Sequence, residues 1–587
     1  MTTTSLALPE LRTRYAEGIS VEQVMTGLLA RIDAYEDGAV WIARVSPEKL
    51  LERARALDTL PHVEKVKLAL FGVPFAVKDN IDVAGLPTTA ACPAFAYRPE
   101  RSATVIERLE AAGAIVLGKT NLDQFATGLN GTRSPHGAPR SVFNKDYISG
   151  GSSSGSSVAV AAGLASFSLG TDTAGSGRVP AAFNNIVGLK PTRGLLSTRG
   201  VVPACRSLDC VSVFALTVDD ALSVTSVAAG FDAEDPFSRA AIARPDTPNR
   251  RIAMPPAAHI NDNCDPETAR LFFSSVDLLG QLGFEMSEID YAPFAETAAL
   301  LYEGPWVAER TAAVGGFVEA HPDAINPVVR TIVEGGKGRS AAEGFEASYR
   351  LAALHRQAHA LLDGFDAMLV PTAPAIFTVA QMEADPIALN SRLGLYTNFM
   401  NLLDLSGIAI PAGFGADGLP VGITLAGQAF DEEKLGDIAR LFAAALSIEP
   451  GGPLAQKEEC LEIVAVGAHM SGLPLNRELT ARGATLVEAG KTAPHYRLYA
   501  LPGGPPARPG LLRHADGVAI AIEVWSMPLR HFGSFMAGIP APLCIGTVEL
   551  ASGRKVKGFL CEPYGLEGAT DVSGFGGWRN YLASKGN

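Results

Sequence analysis

Residues 147–192, YISGGSSSGSSVAVAAGLASFSLGTDTAGSGRVPAAFNNIVGLKPT, constrain this chain more than any other stretch. Glycine and serine crowd into two turns, 150–157 and 171–177, and a run of small residues of helical length lies between them. Glycine reaches backbone conformations and close approaches that other residues cannot, so two such turns can bring hydroxyls and free N–H groups to one point. That is the raw material of a nucleophile beside an oxyanion hole. The competing reading is a flexible Ser/Gly linker, which would be polar and featureless on both sides. Here both flanks are apolar and patterned, and an ordered element is expected.

Upstream, FGVPFAVKDNID (71–82) is an apolar run broken by Gly72-Val73-Pro74 and ended by polar residues. It reads as a buried strand that delivers Lys78 to the edge of a sheet. Burial penalises a charged lysine and pushes its pKa down. The alternative is an ordinary salt-bridged lysine. Lys78, Ser152 and Ser176 lie 74 and 24 positions apart.

These motifs, in this order, resemble the amidase signature family of serine hydrolases over roughly the first three quarters of the chain. The resemblance implies an α/β fold with a mixed β-sheet core covered by helices. It also implies a Ser–cisSer–Lys triad, with Lys78 and Ser152 relaying a proton from the nucleophile Ser176. Backbone N–H groups of Thr173, Ala174, Gly175 and Ser176 would form the oxyanion hole, and FATGLNG (125–131), with Gly128, would line the site. His136 invites a Ser–His reading, but lysine and the second serine already fill those roles. A phosphate-binding loop is the other reading that so much glycine invites, and Gly188-Leu189-Lys190-Pro191-Thr192 fails as one by spacing and by its proline.

A chain of 587 residues suggests one large domain and a smaller one. With 47% hydrophobic and 19% charged residues it has ample material for burial. A formal net charge of −13 argues against nucleic-acid or anionic-membrane surfaces, which rely on excess Lys and Arg. The seven cysteines are scattered, with no C-x-x-C pair, so a disulfide framework or zinc site is not expected and a reducing cytoplasm is. No secretory signal pattern opens the sequence and no apolar run is long enough to span a bilayer, so a soluble protein is expected.

Elsewhere the pattern alternates helix and strand. Ser20 and Gln23 stand in capping-box positions for an early helix, and another begins near Ser46. TVIERLEAAG and AIVLGKTNL form a helix–strand unit. Asp209 reads equally as a hydrogen-bonding partner of the site and as a turn residue. ETAALLYEGPWVAERTAAVGGF (296–317) reads as one helix, with Tyr302 and Arg310 about two turns apart near one face.

The LYEGPW-x-x-ER segment resembles the pocket-lining segment of one subgroup, the allophanate hydrolases, in which Tyr302 and Arg310 match the substrate-binding pair. The alternative for Arg310 is a surface pair with Glu309 or Glu319. At EPGGPLAQKEE the composition shifts to Pro, Gly and charge. The expected organisation is an amidase signature domain over 1–448, a linker over 449–461 and a β-rich α+β domain over 462–587. GAHMSGLPLN, PAPLCIGTVEL and GFLCEPYG resemble the C-terminal domain of that subgroup, a fold also similar to γ-glutamyl cyclotransferases. His469 is its candidate functional histidine, His495 the second, and a structural role is the alternative for both.

The resemblance implies allophanate as substrate, N-carboxycarbamate as first product with decarboxylation on the C-terminal domain as an option, and no metal or organic cofactor. It also implies a urea carboxylase or another allophanate-producing enzyme as functional neighbour, and a homodimer. Other readings are an amidase for a different small amide, one chain of a glutamine amidotransferase, and a non-catalytic scaffold. LYEGPWVAER and the C-terminal domain weigh against the amidase alternatives, and Lys78, Ser152 and Ser176 against the last.

Overall fold

The structure is a computed structural model that describes residues 5–243, 249–452, 460–482 and 484–585. It divides into two compact units, Ser5–Gln456 and Lys457–Asn587. Most of the expected linker, residues 453–459, lies outside the described residues.

The larger unit is built on one mixed sheet of eleven strands. In chain order these are β1 (Trp41–Arg44), β2 (Pro74–Lys78), β3 (Ile115–Thr120), β4 (Phe167–Asp172), β5 (Val187–Lys190), β6 (Cys210–Ala215), β7 (Arg251–Met254), β8 (Glu285–Glu288), β9 (Ala367–Pro371), β10 (Ser406–Phe414) and β11 (Pro420–Gly427). Their order across the sheet is β1-β3-β2-β4-β6-β5-β10-β11-β9-β7-β8. The central strands β2 to β6 are buried along their whole length, as expected where helices cover both faces. Phe75 of β2 and Phe167 of β4 stack with ring centroids 4.8 Å apart in this core.

Helix starts follow their sequence signals. Ser20 and Gln23 form both bonds of the capping box ahead of Val21–Ala34, and Ser46 caps Pro47–Asp58. The small-residue run of the serine-rich stretch becomes the helix Ser154–Ala161, buried throughout. A Cβ on Gly155 would stand 2.4 Å from the Val40 carbonyl oxygen and 2.7 Å from the Asn121 nitrogen, so only glycine lets this helix sit so close. Its serines stitch it to the sheet: Ser156 Oγ donates to the Leu169 carbonyl at 3.0 Å and Ser168 Oγ to the Ser156 carbonyl at 2.7 Å.

One expected element is corrected. The continuous helix read over 296–317 is two helices, Ala292–Glu303 and Val307–Ala320. Gly304 and Pro305 fall between them, and proline can neither donate to a continuing helix nor tolerate a helical residue before it. The two-turn spacing of Tyr302 and Arg310 therefore does not apply.

The smaller unit carries a five-stranded sheet in the order β13-β16-β12-β18-β17 and a three-stranded sheet in the order β15-β14-β19. These strands are β12 (Cys460–Ala465), β13 (Thr485–Lys491), β14 (Tyr496–Ala500), β15 (Pro509–Arg513), β16 (Ala521–Pro528), β17 (Leu543–Glu549), β18 (Lys555–Cys561) and β19 (Thr570–Asp571). It has its own apolar core, including Tyr496, Trp525 and Trp578. Among the described residues of the chain, no helix is long and apolar enough to cross a membrane.

Candidate active site

β2 and β4 are parallel neighbours with Val77 paired to Leu169, so Lys78 and Thr171 leave the sheet at the same edge. Lys78 is fully buried, and its Nζ donates to Ser152 Oγ and to Thr171 Oγ1, both at 2.8 Å. Both partners are neutral hydroxyls, so no ion pair offsets the burial of its charge. Burial dominates and lowers its pKa to about 7, although Asp123, Asp172 and Asp209 favour the charged form. A lysine of this kind is a base near neutral pH.

Ser152 follows a cis peptide bond from Gly151. A Cβ on Gly151 would meet Asp123 Oδ2 at 2.2 Å, so the turn closes only with glycine there. Asp123 is itself buried and accepts from the N–H groups of Gly131 at 3.0 Å and Arg133 at 2.9 Å, fixing the facing loop.

Ser176 sits in a turn organised by Asp172. That carboxylate accepts from the N–H groups of Gly175 at 2.8 Å and Gly177 at 3.0 Å, and from Arg178 Nε at 2.9 Å and Nη2 at 3.0 Å. Burial alone would push the Asp172 carboxyl up, but Arg178 and these N–H groups hold it below the usual range. Arg178 is anchored in turn by the Thr397 carbonyl at 3.2 Å, and Asn401 holds the Asp172 carbonyl at 2.8 Å.

This arrangement corrects the expected oxyanion hole. The Gly175 N–H is committed to Asp172 and cannot face an oxyanion. The N–H groups of Thr173, Ala174 and Ser176 have no acceptor among the described residues and remain its candidate donors. Thr173 is held from behind, its hydroxyl donating to Asp209. Asp209 also accepts from the N–H groups of Ala204 at 2.8 Å and Cys205 at 3.2 Å. Burial raises its pKa against those bonds.

The Ser176 hydroxyl donates to the Gly128 carbonyl at 3.4 Å, and no Ser176–Ser152 hydrogen bond is formed. Catalytic hydrogen bonds commonly tighten only when substrate binds. His136 has no link to Ser176, and its buried Nε2 makes no hydrogen bond.

Thr127 and Gly128 join Ser176 to a second feature. Arg310 Nη1 donates to Thr127 Oγ1 at 2.8 Å, one residue from the carbonyl that receives Ser176. Tyr302 and Arg310 do meet across the helix break, with the guanidinium 5.7 Å from the Tyr302 ring centroid. Arg310 is 3% exposed, and no carboxylate of the described residues pairs with it. The surface pairings open to it in the sequence fail: Glu309 accepts from Ser207, and Glu319 pairs with Lys337 at 3.3 Å. A buried guanidinium without a carboxylate partner beside a nucleophile suits an anionic substrate group.

In the smaller unit His469 is half-buried, its Nε2 3.0 Å from Glu478 Oε2 and its ring stacked on Phe559 at 4.8 Å. Burial lowers its pKa against the pull of Glu478. His469 and Arg508 line one small cavity. His495 is exposed.

Sequence reasoning missed Thr171 as the second acceptor of Lys78, the Asp172–Arg178 clamp and Thr127 as the seat of Arg310. Asp172 and Arg178 left a signal, two charged residues of opposite sign inside a run of otherwise small and apolar character.

Comparison with known proteins gives two family matches. The amidase family matches residues 23–435, and the allophanate hydrolase C-terminal domain matches residues 461–583. Urea amidolyase of Saccharomyces cerevisiae is 44% identical over 572 residues, covering 92% of this chain and 31% of that protein. Urea amidolyase of Lachancea kluyveri is 42% identical over 593 residues, covering 96% of this chain and 32% of that protein. The chain thus spans about a third of the length of these curated relatives. The structure of Kluyveromyces lactis allophanate hydrolase aligns over 100% of both chains with a TM-score of 0.71 and 40% identity.

Proposed function

The chain belongs to the amidase family, and from that premise we propose that it hydrolyses allophanate, a urea bearing a carboxylate on one nitrogen. The observation that carries this reading is the convergence of Ser176 and Arg310 on the adjacent residues Gly128 and Thr127. An amide carbonyl at Ser176 and a carboxylate at Arg310 are what a molecule as short as allophanate would present. The relatives named as allophanate hydrolase and urea amidolyase support it.

In this reading neutral Lys78 takes the Ser152 proton, Ser152 takes that of Ser176, and Ser176 Oγ attacks the amide carbonyl. The N–H groups of Thr173, Ala174 and Ser176 stabilise the tetrahedral oxyanion, a contribution of about 3 kcal/mol per well-placed donor. Collapse returns a proton to the leaving nitrogen and expels ammonia. Water then attacks the acyl-enzyme and releases N-carboxycarbamate. Arg310 forks the substrate carboxylate while Tyr302 adds a hydroxyl. An allophanate-forming enzyme such as urea carboxylase would supply the substrate. The same reading carries a cytoplasmic homodimer, tested by light scattering. Ammonia release from allophanate, compared with simple amides of similar size, tests the assignment, and a preference for the simple amides would overturn it.

Two measurements probe its parts. Lys78 works only when neutral, so kcat/KM should level off above about pH 7 and fall about tenfold per unit well below it. A rate independent of pH between about pH 5.5 and about pH 8 would remove Lys78 as the base.

The second concerns the smaller unit, where we assign decarboxylation of N-carboxycarbamate to the cavity shared by His469 and Arg508. His469→Ala in the full chain should leave the first ammonia unchanged while the second lags by about tenfold or more. Carbon NMR would show N-carboxycarbamate accumulating during that lag. Simultaneous release of both ammonia molecules would take His469 out of the reaction.

A further inference from the structure

Arg310 and Glu309 are neighbours on the Val307–Ala320 helix, yet they grip different walls of the site. Arg310 reaches the Thr127 hydroxyl. Glu309 reaches Ser207, accepting from its N–H at 2.9 Å and also from its hydroxyl. One turn earlier, the carbonyl of Trp306 accepts from Cys205 Sγ at 3.5 Å. The start of this helix therefore holds the 205–207 loop at two points.

That loop is bonded in turn to the segment behind the nucleophile. Asp209 closes it by accepting from the N–H groups of Ala204 and Cys205, and the same carboxylate holds the Thr173 hydroxyl. Thr173 opens the stretch whose N–H groups would face the substrate carbonyl. The connection runs from Arg310 to its neighbour Glu309, then Ser207, Asp209 and Thr173. Each link is a hydrogen bond or a short covalent step along the chain, and each carboxylate accepts from at least two donors. A small shift of the helix that keeps these bonds must therefore carry the loop with it.

We propose that Glu309 is a positioning residue that couples carboxylate recognition by Arg310 to the oxyanion-binding segment at Thr173. This rests on the allophanate reading and deepens it. When Arg310 closes on a carboxylate, the helix it rides on is drawn to a fixed position. Glu309 passes that position to the 204–209 loop, which aligns Thr173. Binding energy from the non-reacting end of the substrate is in this way expressed at the reacting carbonyl, as rate and not as affinity.

The test uses the full chain and steady-state ammonia release from allophanate. Wild-type turnover is read first, and its absence would overturn the allophanate reading and the coupling with it. Glu309→Ala should lower kcat about tenfold while KM changes less than about threefold. Glu309→Gln keeps an acceptor for the Ser207 N–H and should recover most of that loss, and Ser207→Ala should fall between. With Arg310→Lys as background, the carboxylate is held less firmly and there is less to transmit. There Glu309→Ala should cost no more than about threefold. A raised KM with unchanged kcat, or equal losses in the two backgrounds, would overturn the coupling. Unchanged thermal melting of Glu309→Gln and Ser207→Ala keeps the result readable if Glu309→Ala folds poorly.

Discussion

Ser176→Ala should abolish ammonia release from allophanate, by at least about 10⁴-fold, and leave the fold intact. The large effect follows from chemistry: without Oγ no acyl-enzyme forms, and neither Lys78 nor Ser152 can replace it because both lie behind it in the relay. The small effect on stability follows from the contacts. Ser176 Oγ makes one long hydrogen bond, 3.4 Å to Gly128, so its loss costs at most about 1 kcal/mol. The turn itself is fixed by Asp172, through Gly175, Gly177 and Arg178, none of which touches the Ser176 hydroxyl. Ammonia assay and thermal melting on the same preparation check both halves. Turnover within about a hundredfold of wild type would sink the assignment and direct attention to Ser152.

The proposed relay residues were picked out by the family resemblance, with local pattern beside it. Glycine clusters mark where a backbone must approach something closely, but a lysine in an apolar run is not by itself a sign of function: Lys119 and Lys190 are as buried as Lys78, the first paired with Asp79 at 3.1 Å and the second donating to the Pro191 carbonyl at 2.7 Å. Ser152 and Ser176 each lie in a glycine-rich turn, while Lys78 is told from the other buried lysines by its two hydroxyl partners, Ser152 and Thr171. Tyr302 and Arg310 are different. The resemblance picked them out, but the geometric argument placed both on one continuous helix, and the Gly304-Pro305 break removes that helix. Their meeting is a tertiary fact, set by how two helices turn at the break, and no period predicts it.

What the sequence did not reveal is how the scaffolding is assembled. Asp172 and Arg178 are near neighbours in the chain. Their clamp is completed by Thr397 and Asn401, more than two hundred positions away. The same holds for Gly175, which looks like any oxyanion-loop glycine until its N–H is seen bonded to Asp172. Glycine content announces a tight turn, but only the acceptors around the turn decide which N–H groups remain for substrate.

Arg310→Ala should reduce kcat/KM for allophanate by about 10²–10³-fold while costing a neutral amide of similar size much less. The guanidinium is 3% exposed and forms no ion pair with a carboxylate of the described residues, and Asp209 acts on it only from a distance, so an incoming anion would be its first direct charge partner. A substrate carboxylate that enters must shed water, and without Arg310 it meets only the Tyr302 ring and neutral hydroxyls. Losing one partner of a desolvated charge pair costs about 2–5 kcal/mol, which sets the size of the expected loss. A neutral amide brings no such charge, so its turnover depends on Lys78, Ser152, Ser176 and the oxyanion N–H groups but not on Arg310. Arg310→Lys should fall between, since an ammonium keeps the charge but cannot make the two-point contact. The measurement is kcat/KM for both substrates with each variant. Equal losses on allophanate and the neutral amide would make Arg310 a prop for the Thr127–Gly128 turn and would remove the carboxylate from the substrate the site is built to take.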